Sequence, residues 1–554
     1  MSGFNGWSRR KFSVQMLRLG SVAAFASPTF DPAVAAEGKP AKSDTSGAFD
    51  VRVFGAVNDG SVVSTQAIQR AVDACAKSGG GVVHFSPGEY LSGTIFLKSG
   101  VTLDFSTGST LKGSGHLSDY PATVPALRSY TDNYVNRSLI YGEKLENVAL
   151  TGQGIIDGHG HAFHGAYNEA AASLVPAMSR PFIVRLIQCR NVTVKGITLC
   201  NSPMWMQHYL ACENLLVDGI TVLNLPNGER RSFYNNDGID VDSCQQVRIL
   251  NCSFRTEDDG LCFKSTTSIP CRDIVASNCL VMSKCNGIKC GTESVGGFQN
   301  ITISNCSVYE TPYAGIALES VDGGALDGIN ISNIAMREVG CPVFIRLGGR
   351  GRPVRKGDPK PNIGSARNIA ITNIDASGAN SVGCSVTELP GYYVENVSLR
   401  NIRIAFAGGG TVQDAQRTVD EKSADYPEST MFGTLPSYGF FARHAKNVLF
   451  DHLDLTAVTP DFRPALHCSD VQNVEVVGLK AAGQGEGAAL LCLDETKGAL
   501  MHGCWLPNND NKVLQVRGKD SSNIRICCNS REIQKSDIEI GREVPSASVR
   551  YADQ

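Results

Sequence analysis

One short pattern returns along this 554-residue chain and constrains its fold more than any other feature. An asparagine is followed by alternating apolar positions, as in Asn147-Val148-Ala149-Leu150, Asn191-Val192-Thr193-Val194, Asn214-Leu215-Leu216-Val217 and Asn300-Ile301-Thr302-Ile303. The same pattern opens at Asn368, Asn396, Asn447 and Asn473, and successive copies are often 23 to 28 residues apart. Alternation with a period of two is a strand signal, and recurrence at this interval marks a repeat architecture. The repeats hold short strands and no amphipathic helix, which excludes leucine-rich and helical solenoids. The reading is an all-β fold, a single-stranded right-handed parallel β-helix in which each turn hydrogen-bonds to the next. The recurrent asparagines are expected to form a side-chain ladder at turns that need a left-handed backbone.

The rest of the chain is organised around that rod. Residues 65–77 form the one clear amphipathic helix, with Ala67, Ile68, Ala71, Val72 and Cys75 as its apolar stripe, and it is assigned as an N-terminal capping helix. Residues 1–36 read as a twin-arginine signal peptide: Ser8-Arg9-Arg10-Lys11-Phe12 precedes a mildly apolar stretch, and Ala33-Val34-Ala35-Ala36 offers small-residue cleavage sites. Residues 37–49 read as a linker and 50–554 as the parallel β-helix domain, which also carries the candidate chemistry. The protein is expected to be periplasmic or secreted, and monomeric. A net charge of -3 gives no electrostatic case for nucleic acid, and no apolar run is long enough for a membrane span. Of 19 cysteines, 11 lie between Cys189 and Cys306, and Cys252, Cys279 and Cys306 recur every 27 residues. Matching positions in stacked repeats form a column, so these three are expected inside the rod, with room for at most one bridge.

The chemistry concentrates on two consecutive coils. Asn235-Asn236-Asp237-Gly238 lies on one and Glu257-Asp258-Asp259-Gly260 on the next, with 21 residues between Asp237 and Asp258. Stacking brings Asp237 beside the Asp258/Asp259 pair, and crowded carboxylates split their pKa values as acid/base hydrolysis of a glycoside requires. In a regular strand Asp258 and Asp259 would face opposite ways, so a turn or bulge must intervene. No cofactor or metal site is called for. His159, His161 and His164 near Asp157 read as a polar loop, and Trp205 and Tyr209 are candidate sugar-stacking faces.

These motifs resemble glycoside hydrolase family 28, the polygalacturonase family. Asn235-Asn236-Asp237 stands for its Asn-Thr-Asp, and Asp258-Asp259 for its Asp-Asp pair, with Leu261-Cys262-Phe263-Lys264-Ser265 following. Gly152 to Gly158, Asn201 to Trp205, and Tyr426-Pro427-Glu428 through Pro436 look like its framework. The resemblance implies an inverting hydrolase of a pectin-like polysaccharide or oligosaccharide. Asp258 would be the general acid, and Asp237 and Asp259 would position and deprotonate water. Two patterns depart from the family. Asn286 stands where Gly-His-Gly has its histidine, and Ala317-Leu318-Glu319 replaces Arg-Ile-Lys. Candidate substrate-binding residues are therefore Asn235, Asn286, Lys289, Glu319 and Arg346, the last with Arg350 and Arg352 as a replacement cation cluster. Plain polygalacturonate is not the expected substrate. A polysaccharide lyase using Ca²⁺ at the three aspartates and a non-catalytic glycan-binding rod are the competing readings, and the insert around 407–427 is a candidate wall at one end of the groove.

Overall fold

A computed structural model describes residues 48–551 apart from 134, 167–179, 225–234, 356, 487 and 507–510. The signal-peptide assignment falls outside these residues. Strand Ala48–Asp50 already pairs with Gly81–Phe85, so the first strand includes the last two residues read as linker.

Residues 48–551 form a parallel β-helix. Val148 pairs with Val192, Val192 with Leu215, Leu215 with Val247, and the column continues through Ile274, Ile301, Ile329, Ile369, Val397, Val448 and Val474. Every member of this column is buried. Each such side chain contributes about 1.5–3 kcal/mol on leaving water, so the stack of apolar columns supplies the main drive for winding the chain. The residues between them, such as Thr193, Arg248 and Thr302, point the other way. The helix Thr65–Lys77 buries all five residues of its predicted stripe and packs against Ala48–Asp50 and Gly81–Phe85.

The asparagines do what the repeat requires of them. Asn147, Asn191 and Asn214 sit at φ 56°, 56° and 54°. Asn191 Nδ2 donates to Asn147 Oδ1 at 2.9 Å, and Asn214 Nδ2 to Asn191 Oδ1 at 2.8 Å. A second ladder runs through Asn333, Asn373 and Asn401, with rungs of 2.9 and 2.7 Å. Cys252, Cys279 and Cys306 are buried inside the rod, their thiols donating to the Leu250, Ser277 and Ser304 carbonyls, and all 19 cysteines are free thiols.

One sheet face carries the chemistry. Along it, Ile239, Leu261, Ile288, Ile316 and Val343 point into the core, while the alternate residues Asp240, Cys262, Lys289, Ala317 and Phe344 form the outward column. Just ahead of these strands Gly238, Gly260, Gly287 and Gly315 stack. A Cβ on Gly260 would lie 2.4 Å from Val281 Cγ1 and 2.9 Å from the Gly287 carbonyl oxygen, so the coils approach here only without side chains.

A ladder position tests this account. Asn373, at φ 58°, both donates and accepts a rung. Asn373→Ala loses the rungs and keeps a strained backbone, and urea unfolding should show a loss of about 1–2 kcal/mol. Asn373→Gly should recover the backbone part of that loss; equal losses for the two variants would refute the left-handed requirement.

Candidate active site

The residue preceding each stacked glycine faces the same side of the rod. These residues are Asp237, Asp259, Asn286 and Ala314. Ile239 pairs with Leu261, so this coil is 22 residues long and Asp237 stands over Asp259 rather than Asp258. The Gly238 N–H donates to the Asp259 carbonyl at 2.9 Å. Asp258 reaches the same side because residues 257–260 form a turn between the strands Ser253–Thr256 and Leu261–Ser265. Its carbonyl is held there by the Thr256 and Ser283 hydroxyls at 2.6 and 2.7 Å. Carboxylate oxygens of Asp258 and Asp259 and the Cys285 thiol lie within 4.8 Å of one another.

Two buried lysines order these acids. Lys264 Nζ lies 3.6 Å from Asp237 Oδ2 and 3.5 Å from both Asp240 and Glu293. Lys289 Nζ lies 3.0 Å from Asp259 Oδ2 and 3.8 Å from Glu319 Oε2. Asn286 donates from its side chain to Asp259 Oδ1 at 2.9 Å and to Glu428 Oε2 at 3.3 Å, and its own Oδ1 accepts from the Ala314 N–H at 2.9 Å. The Asn235 N–H donates to Asp258 Oδ2 at 2.8 Å, and Arg180 donates to Asn235 Oδ1 at 3.2 Å.

The protonation states divide accordingly. Burial lifts Asp237 well above the usual carboxylate range, and the charges of Asp240 and Asp258 lift it further. Burial also pushes Asp240 up to about 8, against the pull of Lys264. Burial would raise Asp259 as well, but Lys289, Lys264 and Asn286 outweigh it and hold that carboxylate low. Glu319 and Glu428 are raised by burial, Lys289 notwithstanding. One face of the rod thus presents Asp259, whose ionised form is favoured, next to Asp237, whose protonated form is favoured, with Asp258 half-buried beside the Asn235 amide.

Among the described residues, two clusters converge closely enough to hold a cation, Asp237–Asp240–Cys262 and Asp258–Asp259–Cys285. Neither suits calcium, which takes 6–8 oxygen ligands. Each cluster contains a thiol, and each already has a lysine ammonium beside its carboxylates.

The residues read as substrate-binding divide. Asn235 is exposed beside Asp258. Asn286, Lys289 and Glu319 are buried and act on the acids rather than on a sugar. Arg346 is likewise buried; its guanidinium donates to the carbonyls of Glu388 at 3.3 Å and Glu421 at 2.6 Å and lies over Phe432. It therefore anchors a neighbouring segment instead of gripping a carboxylate. Tyr209 is wholly inside the core with its hydroxyl on Gln207, and Trp205 is buried beneath Lys264, so neither offers a sugar a face. Glu293 and Arg180 join the site from positions that no local motif marked. Tyr426 and Glu428 were visible as framework, but only folding shows that they border the acids.

The profile of Glycosyl hydrolases family 28 matches residues 86–419, more than half of the sequence. The chain belongs to glycosyl hydrolases family 28. This family member is 32% identical over 269 residues to a probable polygalacturonase of Vitis vinifera, covering 45% of this chain and 52% of that protein. It is 24% identical over 257 residues to an exo-poly-alpha-D-galacturonosidase of Dickeya chrysanthemi, covering 39% and 41%. The matches thus span about half or less of these two relatives. Among solved structures, a hyperthermoactive exopolygalacturonase from Thermotoga maritima superposes with a TM-score of 0.57 at 21% identity, covering 76% of this chain and 93% of that one, which places the fold among β-helices.

The lysine pair gives a direct test. With Asp259 held low, its contribution to stability is present above the unfolded-state value near 3.9 and is lost as pH falls through the lower folded value. Lys289→Met leaves Asp259 buried without its cation, so the variant should lose about 3–5 kcal/mol at pH 7. The deficit should shrink toward pH 4, where the carboxyls take up protons at less cost. A deficit independent of pH in thermal unfolding would mean that Lys289 acts only through packing.

Proposed function

We propose that this protein is an inverting glycoside hydrolase acting on a pectin-like polysaccharide, exported by the twin-arginine route. What supports the reading is membership of the family together with the stack that sets Asp237 over Asp259 and the accessible Asp258 carboxyl beside them; inversion is taken from the family and not from the Asp258–Asp259 oxygens, which lie within 4.8 Å, closer than the ~6.5–9.5 Å usual for an inverting pair. In this mechanism Asp258 donates a proton to the leaving oxygen while Asp259 accepts one from the attacking water. Asp237, favoured in its protonated form by burial and by the charges of Asp240 and Asp258, is proposed to position that water by hydrogen bonding, while Lys264 beside it also serves Glu293.

The sugar next to the acid is proposed to be neutral. Among the described residues, the cations around the cluster are engaged by the protein itself. Lys264 and Lys289 face their acids, Arg350 pairs with Asp322 at 2.5 Å, Arg352 pairs with Glu293 at 3.2 Å, and Arg180 bonds Asn235. A uronate carboxylate placed here would meet cations already shared with acids and would add its charge to those of Asp259 and Glu293.

Asp258→Asn should fold normally and lose roughly 10²–10⁴-fold in kcat on pectic oligosaccharides, read as new reducing ends. An ultraviolet-absorbing unsaturated product would instead establish a lyase. Proton NMR of the first-formed product should show the anomer opposite to that of the cleaved bond; retention would reject the proposed roles. Polygalacturonate should give a lower kcat/KM than pectic oligosaccharides containing neutral sugars, and the reverse order would refute the neutral subsite.

A further inference from the structure

The outward column of the catalytic sheet changes character abruptly. It runs Asp240, Cys262, Lys289 and then Ala317, Phe344, Ser385 and Phe441. The first three carry or contact the site's charges. The later apolar members would be exposed on a bare sheet, yet Ala317, Phe344 and Phe441 are all buried. What buries them is the segment 419–436, whose Val419, Phe432 and Leu435 pack onto Ala317, Phe344 and Phe441 as a separate apolar cluster.

Three buried arginines fasten this segment by its backbone. Arg346 donates to the Glu421 carbonyl, Arg443 to the Val419 carbonyl at 2.5 Å, and Arg463 to the Leu435 carbonyl at 3.0 Å. Arg346 and Arg443 also lie over the Phe432 ring. The edge of the segment nearest the acids carries Tyr426 and Glu428. Tyr426 is half exposed, with its ring 5.6 Å from Lys289 Nζ and 5.5 Å from the Arg350 guanidinium, and Glu428 accepts from Asn286.

We infer that segment 419–436 is a fixed wall that ends the substrate groove one coil beyond the acids, so that the protein removes units from a chain end and does not cut within a chain. The inference rests on the hydrolase reading for its chemistry but on packing for its geometry. A polysaccharide lying along the sheet would have to occupy the volume of Val419, Phe432 and Leu435. A chain end stops against Tyr426 and Glu428, which present an aromatic face and a hydrogen-bonding carboxyl to the last sugar.

The test uses pectic oligosaccharides of defined length labelled at the reducing end, sampled early in the reaction with the full-length protein. The expected result is either a labelled ladder shortened one unit at a time, if units leave from the non-reducing end, or release of the labelled terminal sugar alone, if they leave from the reducing end; labelled internal fragments of mixed length from the first time point would overturn the wall. The double variant Arg346→Ala/Arg443→Ala leaves the acids untouched and loosens the segment. It should lose the single-unit pattern and release internal fragments; an unchanged pattern from a folded variant would overturn the role of the segment. If no oligosaccharide is cleaved, the hydrolase reading fails separately, and calorimetry on Asp258→Asn decides the wall. Capping both chain ends with bulky groups should abolish binding. Capped chains that bind as tightly as free ones, or the absence of any binding, would overturn it.

Discussion

Everything in this protein depends on the register of parallel pairing between successive coils. A parallel stack keeps like residues over like residues, so a single choice repeated along the chain becomes a column. Apolar columns make the core, asparagine columns make the turns, and the glycine column lets the coils close up where a Cβ would collide with the next backbone. The proposed catalytic arrangement is one more column. Asp237, Asp259 and Asn286 are neighbours because each stands one position before a stacked glycine.

Packing acids this way is costly, and the structure shows how the cost is met. Asp237, Asp240, Asp259 and Glu319 are all buried, a concentration of carboxyls that could not all ionise together. Lys264 lies 3.6 and 3.5 Å from Asp237 and Asp240, and Lys289 3.0 and 3.8 Å from Asp259 and Glu319; the lysines hold Asp259 low, and burial raises the other three. The presence of Ala317-Leu318-Glu319 where the family resemblance leads one to expect two cations then has a physical logic. Lys289, one coil earlier, supplies the positive charge that Asp259 needs. Ala317 lies under a covering segment where a long charged side chain would have no water, and Glu319 is tolerable because burial keeps it protonated.

That covering segment also changes how the arginines are to be understood. Arg346, Arg443 and Arg463 are spaced along the rod and bind backbone carbonyls of residues outside it. The planar guanidinium, with its several donors, suits this task, because a buried loop leaves carbonyls that no strand can satisfy. The same three side chains would look like a binding cluster if only their charge were considered.

The sequence alone determined the features that local pattern can encode. Period-two alternation, asparagine at left-handed turns, the helix stripe over 65–77 and a coil length near the spacing of the two acidic motifs were enough for the fold and for bringing Asp237, Asp258 and Asp259 together. These features were legible because a solenoid converts distance along the chain into height along the rod. What only the tertiary structure decided is which way side chains face and what lies over them. A coil of 22 residues instead of 21 sets Asp237 over Asp259. Folding-back of residues 419–436, more than a hundred positions from Asn286, turns Asn286, Lys289, Glu319 and Arg346 from expected sugar contacts into internal supports. No periodicity encodes that return, because it rests on burial of apolar side chains and on arginine-to-carbonyl hydrogen bonds between parts of the chain with no fixed spacing.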